Sequence, residues 1–188
     1  MKTWSEIKQA TLNKLFLTQE EALQENHLEK MVYLANECLN TIANGVKPKI
    51  KDYTIESVGD LTIVEMPDDF ITHADRLNIY VDSNGEKYKD PIVFYNTETS
   101  IILPEKGTYV IYYNALWDLI EDNNENKELD IDRSVLNCIP SYIASQLLSQ
   151  DDPQRSAILR NEFELLLARL DRNTMNEGRS FRSEGGWI

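Results

Sequence analysis

Apolar positions along this chain change their period twice. Near the start, Trp4, Ile7, Leu12, Leu15 and Phe16 recur with roughly helical spacing. "TWSE" at Thr3–Glu6 supplies a capping box, a hydroxyl followed three residues later by a carboxylate, and the pattern predicts a helix over 4–16. "TQEE" repeats that signal more weakly, and the polar stretch to His27 reads as a loop or frayed turn. From Leu28, the residues Met31, Val32, Ala35, Leu39, Ile42 and Ala43 mark one face of a second helix, stopped by Gly45 and Pro48.

The period then shortens. Ile50, Tyr53 and Ile55 lie in a β-branched and aromatic setting, and "DLTIVEMP" continues as a strand ending at Pro67. Two β-rich runs flank "SNGE", where Asn84-Gly85 signals a hairpin turn. The stretch from Pro91 to Leu116 gives at least three more strands, broken at 96–99 and 104–107. Next comes "DLIEDNNENKELDID", with seven acidic residues and one lysine, expected as a solvated loop. Helical spacing resumes at Val135, Leu136, Ile139, Ile143 and Leu147, with Asp132 as cap. Pro140 must kink or divide that stretch, because it lacks the N–H a helix interior needs. Asp152 and Pro153 open a last helix, with Leu159, Phe163, Leu166, Leu167 and Leu170 on its core face. Arg155, Arg160, Glu164 and Arg169 fall on its wet face, and the pattern dissolves after Asp171.

These elements predict an α+β fold: a helical bundle from the N- and C-terminal segments, an inserted small antiparallel β-sheet or sandwich, and an extended C-terminal arm. The expected boundaries are 1–48 and 130–172 for the discontinuous bundle, 49–117 for the β insertion, 118–129 for the acidic loop and 173–188 for the arm. Neither terminal segment could bury its apolar stripe alone, so the two are expected to pack together.

Charge and chemistry narrow the function. The net charge of −13 argues against gripping a nucleic-acid backbone, which needs clustered Lys and Arg. No apolar run is long enough for a membrane span, and "MKTWSEIKQATLNKLF" lacks the apolar stretch of a signal peptide, so assembly in a cytoplasm is expected. Cys38 and Cys138 sit in apolar-periodic stretches and read as buried free thiols. His27 and His73 read as surface or loop residues, since no motif gives either a nucleophile or an orienting carboxylate. Asp68 and Asp69 fit a turn after Pro67 better than acid–base work. "DNNENKELDIDR" fails as a calcium loop, with Lys127 where glycine is needed and Arg133 where glutamate is needed. No phosphate-binding, dinucleotide or nucleophile-elbow motif occurs. No catalytic residue, cofactor or metal is assigned, and an enzyme is not expected.

One segment remains unabsorbed. "NEGRSFRSEGGWI" places Phe181, Trp187 and Ile188 among glycines. Either they fold back onto their own domain, or they serve another subunit. Ordering some ten backbone residues costs more than two rings return by burial, so such an arm would also need backbone pairing and repetition.

"TWSEIKQATLNKLF", "YLANECLNTIA", "GTYVIYYNALWDLI" and above all "ELDIDRSVLNCIPSYIASQLLSQDDPQRSAILRNEFELLLARL" together resemble head-to-tail connector (adaptor) proteins of tailed bacteriophages. The resemblance implies a structural virion protein of the neck that forms a homo-oligomeric ring, commonly of twelve. The ring docks on the portal protein, extends the DNA channel and offers a platform to further neck or tail proteins. Genomic DNA would pass without sequence-specific binding, and no membrane is involved. The portal-binding arm would comprise Arg179, Phe181, Arg182, Gly185, Gly186, Trp187 and Ile188, with Ser180, Ser183 and Glu184 between them. Another ring layer, a stopper or tail terminator, is the alternative, and a small-ligand-binding module a weaker one.

Overall fold

A computed structural model describes residues 2–17, 27–74, 78–82, 84–89, 94–95, 99–122 and 125–177, of which 94–95 and 171–177 are described by their backbone. The fold is α+β, with antiparallel sheets. The chain divides into two compact units: residues 1–47 with 117–188, and residues 48–116.

The first unit is helical. Helix α1 (Trp4–Leu15) opens at Thr3, whose Oγ1 accepts from the Glu6 amide at 3.3 Å. Helix α2 is His27–Gly45, and α3 is a single turn, Arg133–Leu136, capped by Asp132. Helix α4 (Ile139–Leu147) begins with Pro140 in its first turn, so the proline divides the expected helix at the position where a missing N–H costs nothing. Helix α5 spans Pro153–Glu177, and Asp152 Oδ1 accepts from the Arg155 amide at 3.1 Å. It therefore runs past Asp171, the expected end. An established helix propagates without an apolar stripe, and no glycine or proline intervenes before Gly178.

Helix α4 packs against α1, α2 and α5. Ile139 through Ser145 are all buried, as a helix surrounded on every side requires. Its neighbours contribute Trp4, Ile7, Met31, Cys38, Leu39, Ile42 and Phe163, all essentially inaccessible to water. Phe16 departs from the expected apolar stripe. It is the left-handed C-cap of α1 (φ 59°), and its side chain is exposed.

The second unit is built around one strand. Strands β1 (Lys49–Val58), β2 (Thr62–Glu65), β3 (Phe70–His73) and β4 (Ile79–Asp82) are followed by β5 (Lys87–Lys89), β6 (Phe94–Tyr95), β7 (Ser100–Leu103) and β8 (Lys106–Ala115). One edge of β8 pairs with β1 along its whole length, from Lys49 opposite Ala115 to Val58 opposite Lys106. Its other edge is shared by β4 and β3, which carries a bulge between Phe70 and Thr72. The first sheet runs β1-β8-β4-β5, and the second β2-β7-β6. Ile55, Tyr80, Tyr109, Ile111 and Tyr113 from the first sheet share one core with Ile101 and Leu103 from the second and with Met66, just past β2. The β4–β5 hairpin closes between Asp82 and Glu86, with Gly85 at φ +83°, where glycine is tolerated at no steric cost.

Candidate functional site

The residues expected to bind a portal, Arg179, Phe181, Arg182, Gly185, Gly186, Trp187 and Ile188, lie outside the described residues. The helix that leads to them, α5, is described. Leu159, Phe163 and Leu170 fill its buried face, and Leu166 and Leu167 are only half-buried. Ile158 and Leu165, two turns apart, stand 68% and 65% exposed on another side, beside exposed Ala157, Asn161 and Ala168. Arg155, expected on the wet face, is half-buried: it donates to the Lys14 carbonyl and lies 4.1 Å over the Phe16 ring. Lys14 in turn pairs with Glu162 at 2.7 Å. These contacts tie the end of α1 to α5 and cover one face of the exposed ring.

The described residues of the acidic stretch form a mostly exposed loop, as its composition predicts, and ion pairs anchor it. Its carboxylates meet cations from the start of the chain. Lys8 is buried and pairs with Asp122 at 3.4 Å and with Glu125, while Lys2 pairs with Glu128 at 2.6 Å. Trp4 Nε1 donates to Asp122 at 2.8 Å. The Asn36 side chain accepts from the Ile120 amide at 2.8 Å and donates to the Ile120 carbonyl at 3.0 Å, as a paired strand residue would. Ile120 is buried beneath it. The Lys2 ammonium holds the Glu128 carboxyl below its usual range. At the end of the stretch, burial works against the charge of Asp132. Hydrogen bonds from Lys47 and Ser134 outweigh it and bring that carboxyl down to about 2.

In the β unit, the chain turns from β1 to β2 through three consecutive positive-φ residues, Gly59 (88°), Asp60 (53°) and Leu61 (59°). A leucine in the left-handed region costs on the order of 1 kcal/mol, so the surroundings must hold it. Ser57 does so: its Oγ accepts from the Gly59 amide at 3.2 Å and donates to Thr62 Oγ1, which donates to the Gly59 carbonyl at 2.9 Å. This framework carries Val58, Leu61 and Ile63, all exposed. The sequence reads these three as ordinary strand residues. The signal available was Gly59-Asp60, a turn dipeptide that leaves apolar residues at a tip.

The remaining candidates do not converge. His27 opens α2 rather than lying in a loop, and is half-buried. His73 lies on β3, also half-buried, with its ring 5.0 Å from Phe70; burial pushes its pKa down. Cys38 and Cys138 are buried and free, as their settings predict. Burial raises the Cys38 thiol and pushes Cys138 up to about 11, so neither is a thiolate at neutral pH. Asp68 and Asp69 form the turn after Pro67. Asp69 is occupied by Lys51 at 2.7 Å and the Tyr113 hydroxyl at 3.1 Å. A groove of about 570 Å³ is lined by His27, Lys30, Tyr33, Gln146 and Asp151, among others. Among the described residues, no group of three His, Cys, Asp or Glu could hold a metal ion, and no helix is long and apolar enough to cross a membrane. What these surfaces offer is apolar contact and charge. No family model matches the chain, and no curated protein matches it in sequence.

Proposed function

We propose that this chain is a ring-forming structural subunit of a tailed-phage neck, a head-to-tail adaptor that docks on a portal, extends the DNA channel and supports the next neck or tail component. The observation that carries the reading is the open apolar side of α5. Its core face is already filled, yet Ile158 and Leu165 remain outside. A surface of this kind suits a neighbouring subunit. The helical segments would form the bundle that builds the ring. The segment that resembles an adaptor arm follows the same helix, with Phe181 and Trp187 as anchors and Arg179 and Arg182 placed to meet acidic groups. The net charge of −13 supports a lumen that repels phosphate and lets DNA pass.

The test mixes the purified chain with portal rings and images the product. Rings of this chain seated on portal are expected. A variant lacking 179–188 is expected to unfold at the same temperature as the full chain and to lose portal binding. If the truncated chain seats on portal as before, the arm does not carry docking. If the full chain joins tail tube and not portal, the protein is another ring layer, a stopper or terminator.

A further inference from the structure

The two edges of the first sheet carry opposite charge on one face. Residues directly opposite in antiparallel strands share a face, so the register defines rows across the sheet. One row reads Glu56, Thr108, Val81, Lys87. The next reads Thr54, Val110, Ile79, Lys89, and Asp52 stands opposite Tyr112 one row further. Asp52 and Glu56 thus lie on edge strand β1, and Lys87 and Lys89 on edge strand β5, all exposed and all on the face away from the core. The two β1 lysines, Lys49 and Lys51, stand at alternate positions on the opposite face, where Lys51 pairs with Asp69. Lys106 lies on the charged face at the turn end of β8, opposite Val58.

Among the described residues, no strand pairs with the outer edge of β1 or of β5. β1 is ten residues long. An unpaired edge of that length invites another strand, and proteins commonly blunt such edges with charge. Like charge on both edges would keep copies apart. Here the signs are opposite, which repels edges of one kind from each other and attracts β1 of one copy to β5 of the next.

We infer that copies of this chain join head to tail through these edges, the acidic β1 of one receiving the basic β5 of another. Strand direction permits it. Neighbours alternate in direction from β1 to β5, so a second copy in the same orientation brings β5 antiparallel to β1. Parity permits it as well: with Glu56 opposite Lys87 of the neighbour, Thr54 falls opposite Lys89, and Asp52 lies one diagonal away. The contact is heterologous, so its repetition gives a ring or a filament. Three residues of β5 make a short pairing, and its role is to set register and direction beside larger contacts. The inference rests on the ring reading above and adds to it the surface and polarity of the joint.

The test uses the full chain carrying Glu56→Cys and Lys87→Cys together. Within one copy these positions are three strand spacings apart, roughly 14 Å, too far for a disulfide. Across the proposed joint they are directly opposite. Mild oxidation is expected to give a ladder of covalent oligomers, whereas each single variant gives dimers at most. A double variant that yields only the dimers of the single ones overturns the inference. Charge reversal supplies a second measurement, by sedimentation at low salt. Lys87→Glu with Lys89→Glu, and separately Asp52→Lys with Glu56→Lys, are each expected to weaken self-association about tenfold, and an equal mixture of the two is expected to restore it. If both associate like the unaltered chain, the edges are not the joint. The ring reading is then judged by portal binding alone, since rings can form there through α5.

Discussion

Lys8 illustrates how single residues give this chain its shape. A buried ammonium is costly unless paired, and two carboxylates of the acidic stretch supply the pairing. The stretch is acidic for an internal reason, and its cations come from more than a hundred residues earlier. Asp132 does similar work at the other end, capping α3 while accepting from Lys47. Its carboxyl sits near 2 in the folded chain against 3.8 ordinarily. A depressed carboxyl contributes stability that is present above the ordinary value and lost as pH falls through the folded one. Urea unfolding followed by circular dichroism between pH 4 and pH 2 should therefore show stability falling, and Asp132→Asn should flatten part of that fall. At neutral pH, Asp132→Ala should cost about 1 kcal/mol, the usual worth of such a cap.

At the scale of elements, β8 holds the β unit together, and Gly107 is its tightest point. A Cβ there would lie 2.4 Å from the Val81 carbonyl oxygen and 2.5 Å from the Tyr80 ring. Backbone cannot yield as a flexible side chain does. Gly107→Ala should thus destabilise the chain by about 2–3 kcal/mol, read as a lower denaturant midpoint with lost tyrosine near-ultraviolet signal. The helices were largely legible from sequence because their signals are local: Thr3, Asp132 and Asp152 cap where expected, and Pro140 divides where expected. The strands were legible too, but not their pairing. β1 finds β8 across the whole insertion, and only register brings Glu56 and Lys87 into one row. Phe16 is exposed against its pattern, and the exposed acidic stretch is anchored in a way composition does not show, for one reason: composition describes a residue's preference, while Arg155, Lys2 and Lys8 arrive from distant parts of the chain. The segment around Trp187 stands out by composition alone, because its apolar residues fall among glycines and outside any periodic pattern.

For the whole molecule, the division into two units has a practical meaning. The chain crosses between them after Lys47 and before Trp117. On the helical side of the crossing, Trp117 Nε1 donates to the Lys47 carbonyl at 2.9 Å. On the sheet side, Lys49 is directly opposite Ala115, about 5 Å between backbones. The entrance and exit of the β unit are thus neighbours at a single rung, and a short glycine-containing turn spans that gap. Replacing residues 49–115 with such a turn should leave a helical remnant that unfolds cooperatively and keeps its far-ultraviolet helix signal. A remnant that fails to fold would mean that the helices depend on the sheet. If the remnant folds, the β unit is in this sense a cassette: its length and decoration can be exchanged between Lys49 and Ala115 without redesign of the helical scaffold.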